Sequence, residues 1–538
     1  MIKRNRYTLI LCGAAAVVVL VCVLCQVLFG ARLWVDLGAA LDDAATPDRL
    51  AKIHPDYSDA VIPPNIAPLN FRIEESGTRY AVRVLGGRGQ PIEIVSRSAN
   101  ITIPEKPWRR LLDANRGTYI GFEILVQPGD TAGSHDAARW QRFEPFGCKV
   151  ADEEIDGYLV YRRIHPVHAA HRQMGIYQRD LRHFGESCVL SGEYFGEGCL
   201  NCHTFCNNRT DRMLISTRTK TYTNAAIIVE NGAARKIEAT FGYSSWHPSG
   251  KILTYSMNKV VLFHHAVSEE PRDVIDLDSL IVYYVMDSQT IKTAPDLSRK
   301  DRLETYPTWS PDGRFLYFCS APLTWTDRAK IPAEYKEVRY DLMRISYDAD
   351  RDEWGPLEML LSAKETGRSI LLPRVSPDGR WLLFCMCEYG CFPVYQRSSD
   401  LYMIDLEAAK QTGRYEYHRL EINSDASESW HSWSSNSRWI AFSSKRGSGV
   451  FTRTYLSYVD PDGTVRKPFL LPQKDPTYYD SCLWTYSVPE LVTDPVKMTK
   501  ESLGRVVRSS DKISVQLPVT TATPKAGPAP EPYLPTRE

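Results

Sequence analysis

Cys199-Leu200-Asn201-Cys202-His203 is the stretch of this 538-residue chain whose residue types and spacing specify a chemistry on their own. A C-x-x-C-H run is the attachment signature of a c-type haem. Two thiols separated by two residues reach the two vinyl groups on one edge of a porphyrin. The His that follows lies beneath the ring with a nitrogen aimed at the iron. Cys199 and Cys202 are therefore the thioether candidates and His203 the proximal ligand, its strength set by the partner of its other ring nitrogen. With 13 Cys and 12 His in the chain, independent placement gives roughly 0.007 expected matches, so chance is a poor explanation. Zinc is a weaker reading. Cys199, Cys202 and Cys206 supply three thiolates where a structural site takes four ligands. The other C-x-x-C, Cys22 to Cys25, lies in an apolar N-terminal run. A thioredoxin-like pair wants a βαβ setting, whereas residues 193–198 and 204–210 read as loop.

The iron needs a sixth ligand unless it is left open for chemistry. The segment ahead of the motif holds His165, His168, His171, Met174 and His183. His168 and His171, three apart, share a helix face that Met174 continues. The ordinary reading of each His is a solvated polar face. Any of these three closing the iron would leave its mark on the potential, which His/Met ligation raises.

Haem is attached outside the cytoplasmic membrane, so the N-terminus has to export the chain. Residues 7–29 carry no charge and are long enough to span a bilayer. Lys3, Arg4 and Arg6 precede them, and by the positive-inside rule residues 1–6 form a cytoplasmic basic end. The apolar run is longer than a usual signal-peptide core, and Gly30-Ala31 is a poor cleavage match after Phe29. The expectation is an uncleaved, single-pass signal anchor in a bacterial inner membrane, a linker over 30–65, and a periplasmic body. Lys plus Arg equals Asp plus Glu at 65 each, so no net field draws the protein to nucleic acid.

A repeat fills the second half. Trp309-Ser310-Pro311-Asp312-Gly313 precedes Arg314-Phe315-Leu316-Tyr317-Phe318, and Val375-Ser376-Pro377-Asp378-Gly379 precedes Arg380-Trp381-Leu382-Leu383-Phe384. Trp246-His247-Pro248-Ser249-Gly250 and Trp433-Ser434-Ser435-Asn436-Ser437 open further copies, and a weaker one starts at Asn208. Pro presets φ, Asp bonds locally and Gly accepts positive φ, so each copy is a hairpin turn opening an apolar strand. The copies recur roughly every 60 residues, as blades of a β-propeller with loop insertions do.

The S-P-D-G-R-x-L-x-F copies resemble the WD40-like repeats of the TolB-type β-propeller, over about residues 205–490. Ile155 to Arg162, Met174-Gly175-Ile176-Tyr177-Gln178-Arg179, the C-L-N-C-H-T-F run and Tyr389 to Pro393 resemble exported proteins that fuse a haem motif to such a propeller. Members are loosely labelled cytochrome c biosynthesis proteins. The resemblance implies six blades and one covalent haem c, with no established reaction. It also favours Met174 as distal ligand, with His171 or His168 as alternatives. The expected fold is mainly β: a small β-sandwich-like domain over 66–128, then a connecting segment with helical patches and the motif over 129–206. A propeller over 207–495 and a disordered Pro-rich tail over 505–538 complete it.

The expected function is electron transfer or redox sensing with an unidentified periplasmic redox or envelope protein. The alternatives are a non-catalytic propeller scaffold with structural or no haem, and a haem enzyme with an open iron. Cys385, Cys387 and Cys391 read as buried strand thiols. Asp273, Asp276 and Asp278 lack the Gly and distal Glu of a calcium loop. No Ser-His-Asp motif, P-loop or dinucleotide fingerprint is visible.

Overall fold

The computed structural model describes residues 40–41, 44–129, 139–165 and 174–515, without the side chains of Asn201 and Cys202. The expected anchor at 7–29 lies outside these residues, as do His168, His171 and the tail beyond 515. No helix among the described residues is long and apolar enough to cross a membrane. The chain divides into two compact units, Met1–Asp152 with Pro472–Ser481, and Glu153–Leu471 with Cys482–Glu538.

In the first unit Val61–Ile62, Phe146–Val150, Tyr119–Gln127, Arg79–Gly86 and Ile92–Ser96 are successive neighbours in one sheet. A second sheet holds Ile53–His54, Phe71–Ile73 and Asn100–Ile101. Phe71 of the second meets Phe122 and Phe146 of the first, with ring centroids 6.1 and 6.2 Å apart. Such edge-on aromatic contacts add to plain area burial. The sandwich expectation omits the helix Glu105–Ala114, which buries Trp108, Leu111 and Leu112. Trp108 Nε1 donates to the Ile66 carbonyl at 3.1 Å, so the one polar atom of that ring is satisfied. The linker expectation for 30–65 is also corrected. Residues 53–54 and 61–62 are strands here, and Tyr57, Ala60 and Ile62 are buried.

Among the described residues the second unit is six sheets built on four antiparallel strands each, one of them out of chain order and one carrying a fifth, parallel strand. Their innermost strands are Cys199–Cys206 in blade 1, Ser244–Trp246 in blade 2, Arg302–Trp309 in blade 3, Ser369–Val375 in blade 4, Glu428–Trp433 in blade 5 and Thr485–Val492 in blade 6. Each inner strand touches the next, and the sixth touches the first, so the sheets close into a ring. Blade 6 is the exception. Its inner strand comes from the C-terminal region, while Tyr158–Ile164, Gly175–Asp180 and Glu186–Ser191 come from ahead of the motif. The propeller therefore begins near residue 158, not 207, and the expected connecting segment is three strands of a blade. Its partner lies some three hundred residues away, beyond the reach of any local pattern.

The turns behave as their residues dictate. Ser310 Oγ donates to Asp312 Oδ1 at 2.5 Å and accepts from the Phe315 amide at 3.0 Å, while Gly313 takes φ +72°. In blade 5 Asn436 replaces Asp and Ser437 takes φ +61°. The departure from Pro at Ser435 has a reason. Its amide and hydroxyl donate to Asp156 at 2.9 and 2.5 Å, and Pro has no N–H to give. Asn208 joins the same knot, donating to the carbonyls of Trp433 and Leu491 at 2.8 Å each.

Order also continues past residue 505. The helix Lys500–Arg508 buries Leu503 and Val507 in the core shared by blades 1 and 6. The Lys236 ammonium donates to the carbonyls of Val507 and Ser509 at 2.8 and 3.0 Å, a favourable place for a cation at a helix C-terminus. Ile513–Ser514 then pairs in parallel with the outer strand of blade 1.

Candidate functional site

Five of the six inner strands break their ladder at mid-length. Register jumps fall between Asn201 and His203, Thr305 and Thr308, Leu371 and Arg374, and Ser429 and Ser432, and opposite Val488 in blade 6. Tyr306, Leu372, Trp430 and Val488 stand in these bulges with φ of +55°, +56°, +48° and +52°. Bulky L residues held there cost on the order of 1–3 kcal/mol each and persist only where the surroundings impose them. A bulge re-aims the side chains beside it, here toward the axis of the ring. Pro follows in three strands, as Pro307, Pro373 and Pro489, because a bulged position does not require a ladder donor. In blades 1 and 5 the matching residue is histidine, His203 and His431.

These bulges surround a small, partly open chamber. Each blade contributes to the wall: His203, Ser244, Pro307, Arg374, His431 and Pro489. Tyr243, Tyr306 and Trp430 line it as well, with Tyr243 centred 4.1 Å from Tyr306 and 5.8 Å from Trp430. The long second hairpin of blade 2, Ile252–His264 and Arg272–Val285, reaches the strands and loops of blades 4 and 5. Val274, Ile275 and Leu277 share an apolar core there with Cys391, Val394 and Trp430.

His203 is 3% exposed, and neither ring nitrogen has a hydrogen-bond partner. Burial first, and then the Arg162 charge, push its pKa down to about 3, against hydrogen-bonding interactions with the backbone of Val160 and Val488. The ring is thus neutral at physiological pH, with the Val160 and Val488 backbone the polar groups that act on it. His431 differs. Its Nε2–H donates to the Leu383 carbonyl at 3.2 Å and its Nδ1 lies 3.7 Å from Cys385 Sγ. Burial first, and then Arg374, push His431 down to about 3 as well. Arg374 itself is paired with Glu490. Burial raises the Glu490 carboxyl while Arg374 pulls it back.

The motif is an inner strand, not a loop. Cys199 is half-buried, with Sγ 3.7 Å from Met174 Sδ. Burial raises its thiol pKa, and Arg162 and Arg218 oppose the rise. In register Cys199 stands opposite Arg218 and His203 opposite Ile215, so the extra residue at Cys202 puts Cys199 and His203 on different faces of the strand. Met174, the expected distal ligand, therefore lies beside the first thiol. Cys206 is buried, its thiol donating to the His247 carbonyl at 3.7 Å, and desolvation pushes it up to about 11. No group of three or more His, Cys, Asp or Glu side chains among the described residues is placed to hold a metal ion.

The remaining candidates disperse. Cys385, Cys387 and Cys391 are buried free thiols. Asp273 accepts from Tyr389 at 2.8 Å, Asp276 from Asn258, and Asp278 pairs with Arg328 at 2.5 Å, so the three carboxylates serve different partners. The chamber histidines had a signal in the sequence. Pro307, Pro373, Ser244 and His431 each stand four residues before the residue in the Pro position of the turn, as His203 stands before Asn207. Extending the repeat backwards by four places marks His203 as part of a blade.

No family model matches the chain, and no curated protein sequence matches it. Among solved structures it is similar to TolB from Acinetobacter baumannii, at 14% identity and a TM-score of 0.40, over 72% of this chain and 85% of that one. Kuenenia stuttgartiensis hydrazine synthase shares 13% identity at a TM-score of 0.30, over 49% and 64% of the two chains. Oligogalacturonate lyase in complex with manganese shares 12% identity at 0.30, over 54% and 84%. At such scores the propeller rests on the sheets and their closure rather than on these overlaps.

Proposed function

We propose that this protein is a membrane-anchored, periplasmic c-type mono-haem propeller that transfers electrons to, or senses redox state with, an envelope partner. The observation that carries the reading is His203: a neutral imidazole, buried at the chamber wall, whose ring nitrogens have no partner in good hydrogen-bond geometry among the described residues. A buried polar ring without a partner is expensive, and an axial bond to iron is what a neutral imidazole supplies. Cys199 and Cys202 would carry the thioethers, and Met174 beside Cys199 is the nearest described candidate for the distal side. When bound, the haem supplies a one-electron couple. The chain's own part is to hold the His203 ring in place, exclude water through the aromatic wall, and keep the porphyrin edge near the strand. The uncharged run at 7–29 supports the anchor and export.

One observation favours a haem-free scaffold instead: Cys199 and His203 stand on different faces of the strand, and a thioether pair requires that segment to bend. A pyridine haemochrome spectrum separates the two readings. The full chain is produced with a c-type maturation system, denatured and extracted with acid acetone. A retained c-type band supports the haem reading, and its loss in Cys199→Ser/Cys202→Ser assigns the attachment. Wild-type protein without the band overturns it in favour of the scaffold.

A further inference from the structure

Most polar groups that line the chamber are committed elsewhere. Ser244 Oγ donates to the Gly242 carbonyl at 3.0 Å, and the Tyr306 hydroxyl to the Cys391 carbonyl at 2.6 Å. Pro307, Pro373 and Pro489 have no N–H to give. Outside the motif strand, two side chains among the described residues keep donors in hand. Arg374 of blade 4 lines the chamber with 32% of its side chain accessible. Its hydrogen bond to Glu490 uses Nη2, which leaves Nε and Nη1. Trp430 of blade 5 lines the chamber as well, and its Nε1 is buried without a hydrogen-bond partner.

Charge points the same way. Arg374 acts on both chamber histidines and Arg162 on His203, and no acid is a leading influence on either ring. Both imidazoles are neutral, so the Glu490 carboxylate stands against two guanidinium groups. Unused donors and excess positive charge call for an anion, and the planar fork of an arginine matches a carboxylate. Shape narrows the choice. The packed rings of Tyr243, Tyr306 and Trp430, with Leu372 and Val488, give the wall an apolar side. The cavity volume of ≈ 50 Å³ is about a third of the roughly 150 Å³ that admits benzene, so the occupant is a few heavy atoms and not a ring.

We propose that the chamber binds a small aliphatic monocarboxylate of the size of acetate, its oxygens held by Arg374 and Trp430 Nε1 and its alkyl end against the aromatic wall. Glu490 holds the guanidinium in place beforehand, which lowers the cost of ordering it. The site goes beyond the haem reading and does not depend on it, because Arg374 and Trp430 stand on blades 4 and 5 and the motif on blade 1.

The test is isothermal titration of the full chain with sodium acetate, with chloride, phosphate and benzoate as comparisons. Acetate should bind at one site and the other three should not compete for it. Arg374→Gln with Glu490→Gln removes the pair without stranding a buried charge. It should weaken acetate about tenfold or more, the worth of a charge-assisted hydrogen bond. Trp430→Phe keeps the wall, loses the donor and should weaken acetate less. If the double variant does not accumulate, Arg374→Lys, which keeps the charge and loses the fork, takes its place and should also bind acetate more weakly. Wild-type protein that takes up no acetate overturns the proposal. Chloride, phosphate or benzoate competing as well as acetate overturns it too, as does unchanged affinity in the Arg374 variant that folds.

Discussion

His431 gives the propeller a specific weakness toward acid. An exposed imidazole titrates near 6.5, and burial pushes this one down to about 3. The unfolded chain therefore takes up the proton first as pH falls. The stability that His431 contributes is complete above pH 6.5 and drains away toward pH 3. Each pH unit inside that interval is worth 1.36 kcal/mol, so between pH 7.5 and pH 5 the loss comes to about 2 kcal/mol. Against the 5–15 kcal/mol that holds a typical domain together, such a slope is measurable. His431→Gln keeps an amide N–H for the Leu383 carbonyl, which now accepts from Nε2 at 3.2 Å, and cannot be protonated. The assay is urea unfolding of the haem-free protein at both pH values, followed by tryptophan fluorescence. Wild type should lose about 2 kcal/mol more than the variant over this interval, whatever the variant's absolute stability. His203 is present in both proteins and cancels. Equal losses would mean that the ring is hydrated or already charged in the fold, and the chamber wall would not be as dry as its packing indicates.

Asp276 should act with the opposite sign. Burial holds its carboxyl up at about 7, against the hydrogen bond from Asn258. The folded state keeps that proton longer than the unfolded chain, so stability falls as pH rises from about 4 to about 7. Asp276→Asn should flatten this decline, as read from urea midpoints at pH 4.5 and pH 8; an unchanged decline would place the linked proton elsewhere. Ser435→Pro restores the proline of the other turns and should nonetheless destabilise, by about 1–3 kcal/mol, because Asp156 loses both Ser435 donors. A thermal midpoint equal to or above wild type would refute that account of the odd turn.

Local chemistry was legible in the sequence, and distant pairing was not. The two S-P-D-G turns and their two variants announced four blades because Ser310, Asp312 and Phe315 satisfy one another within six residues. The strand Tyr158–Ile164 was hidden because its neighbour Thr485–Val492 is contributed by the far end of the chain. The motif was misplaced for a related reason. Asn207 and Asn208 fill the turn with φ +52° and +58°, using side chains that tolerate left-handed backbone where Pro and Gly would have signalled a blade.

Blade 6 also sets an order of assembly. Its inner strand, Thr485–Val492, follows the inner strands of the other five blades in the chain and touches both Glu428–Trp433 and the motif strand Cys199–Cys206. Until it docks, blades 5 and 1 have no inner strand between them and the ring stays open. Closure is therefore a pairing of Tyr158–Ile164 with Thr485–Val492 across most of the propeller's length, and a contact of such long sequence separation is a slow one to form.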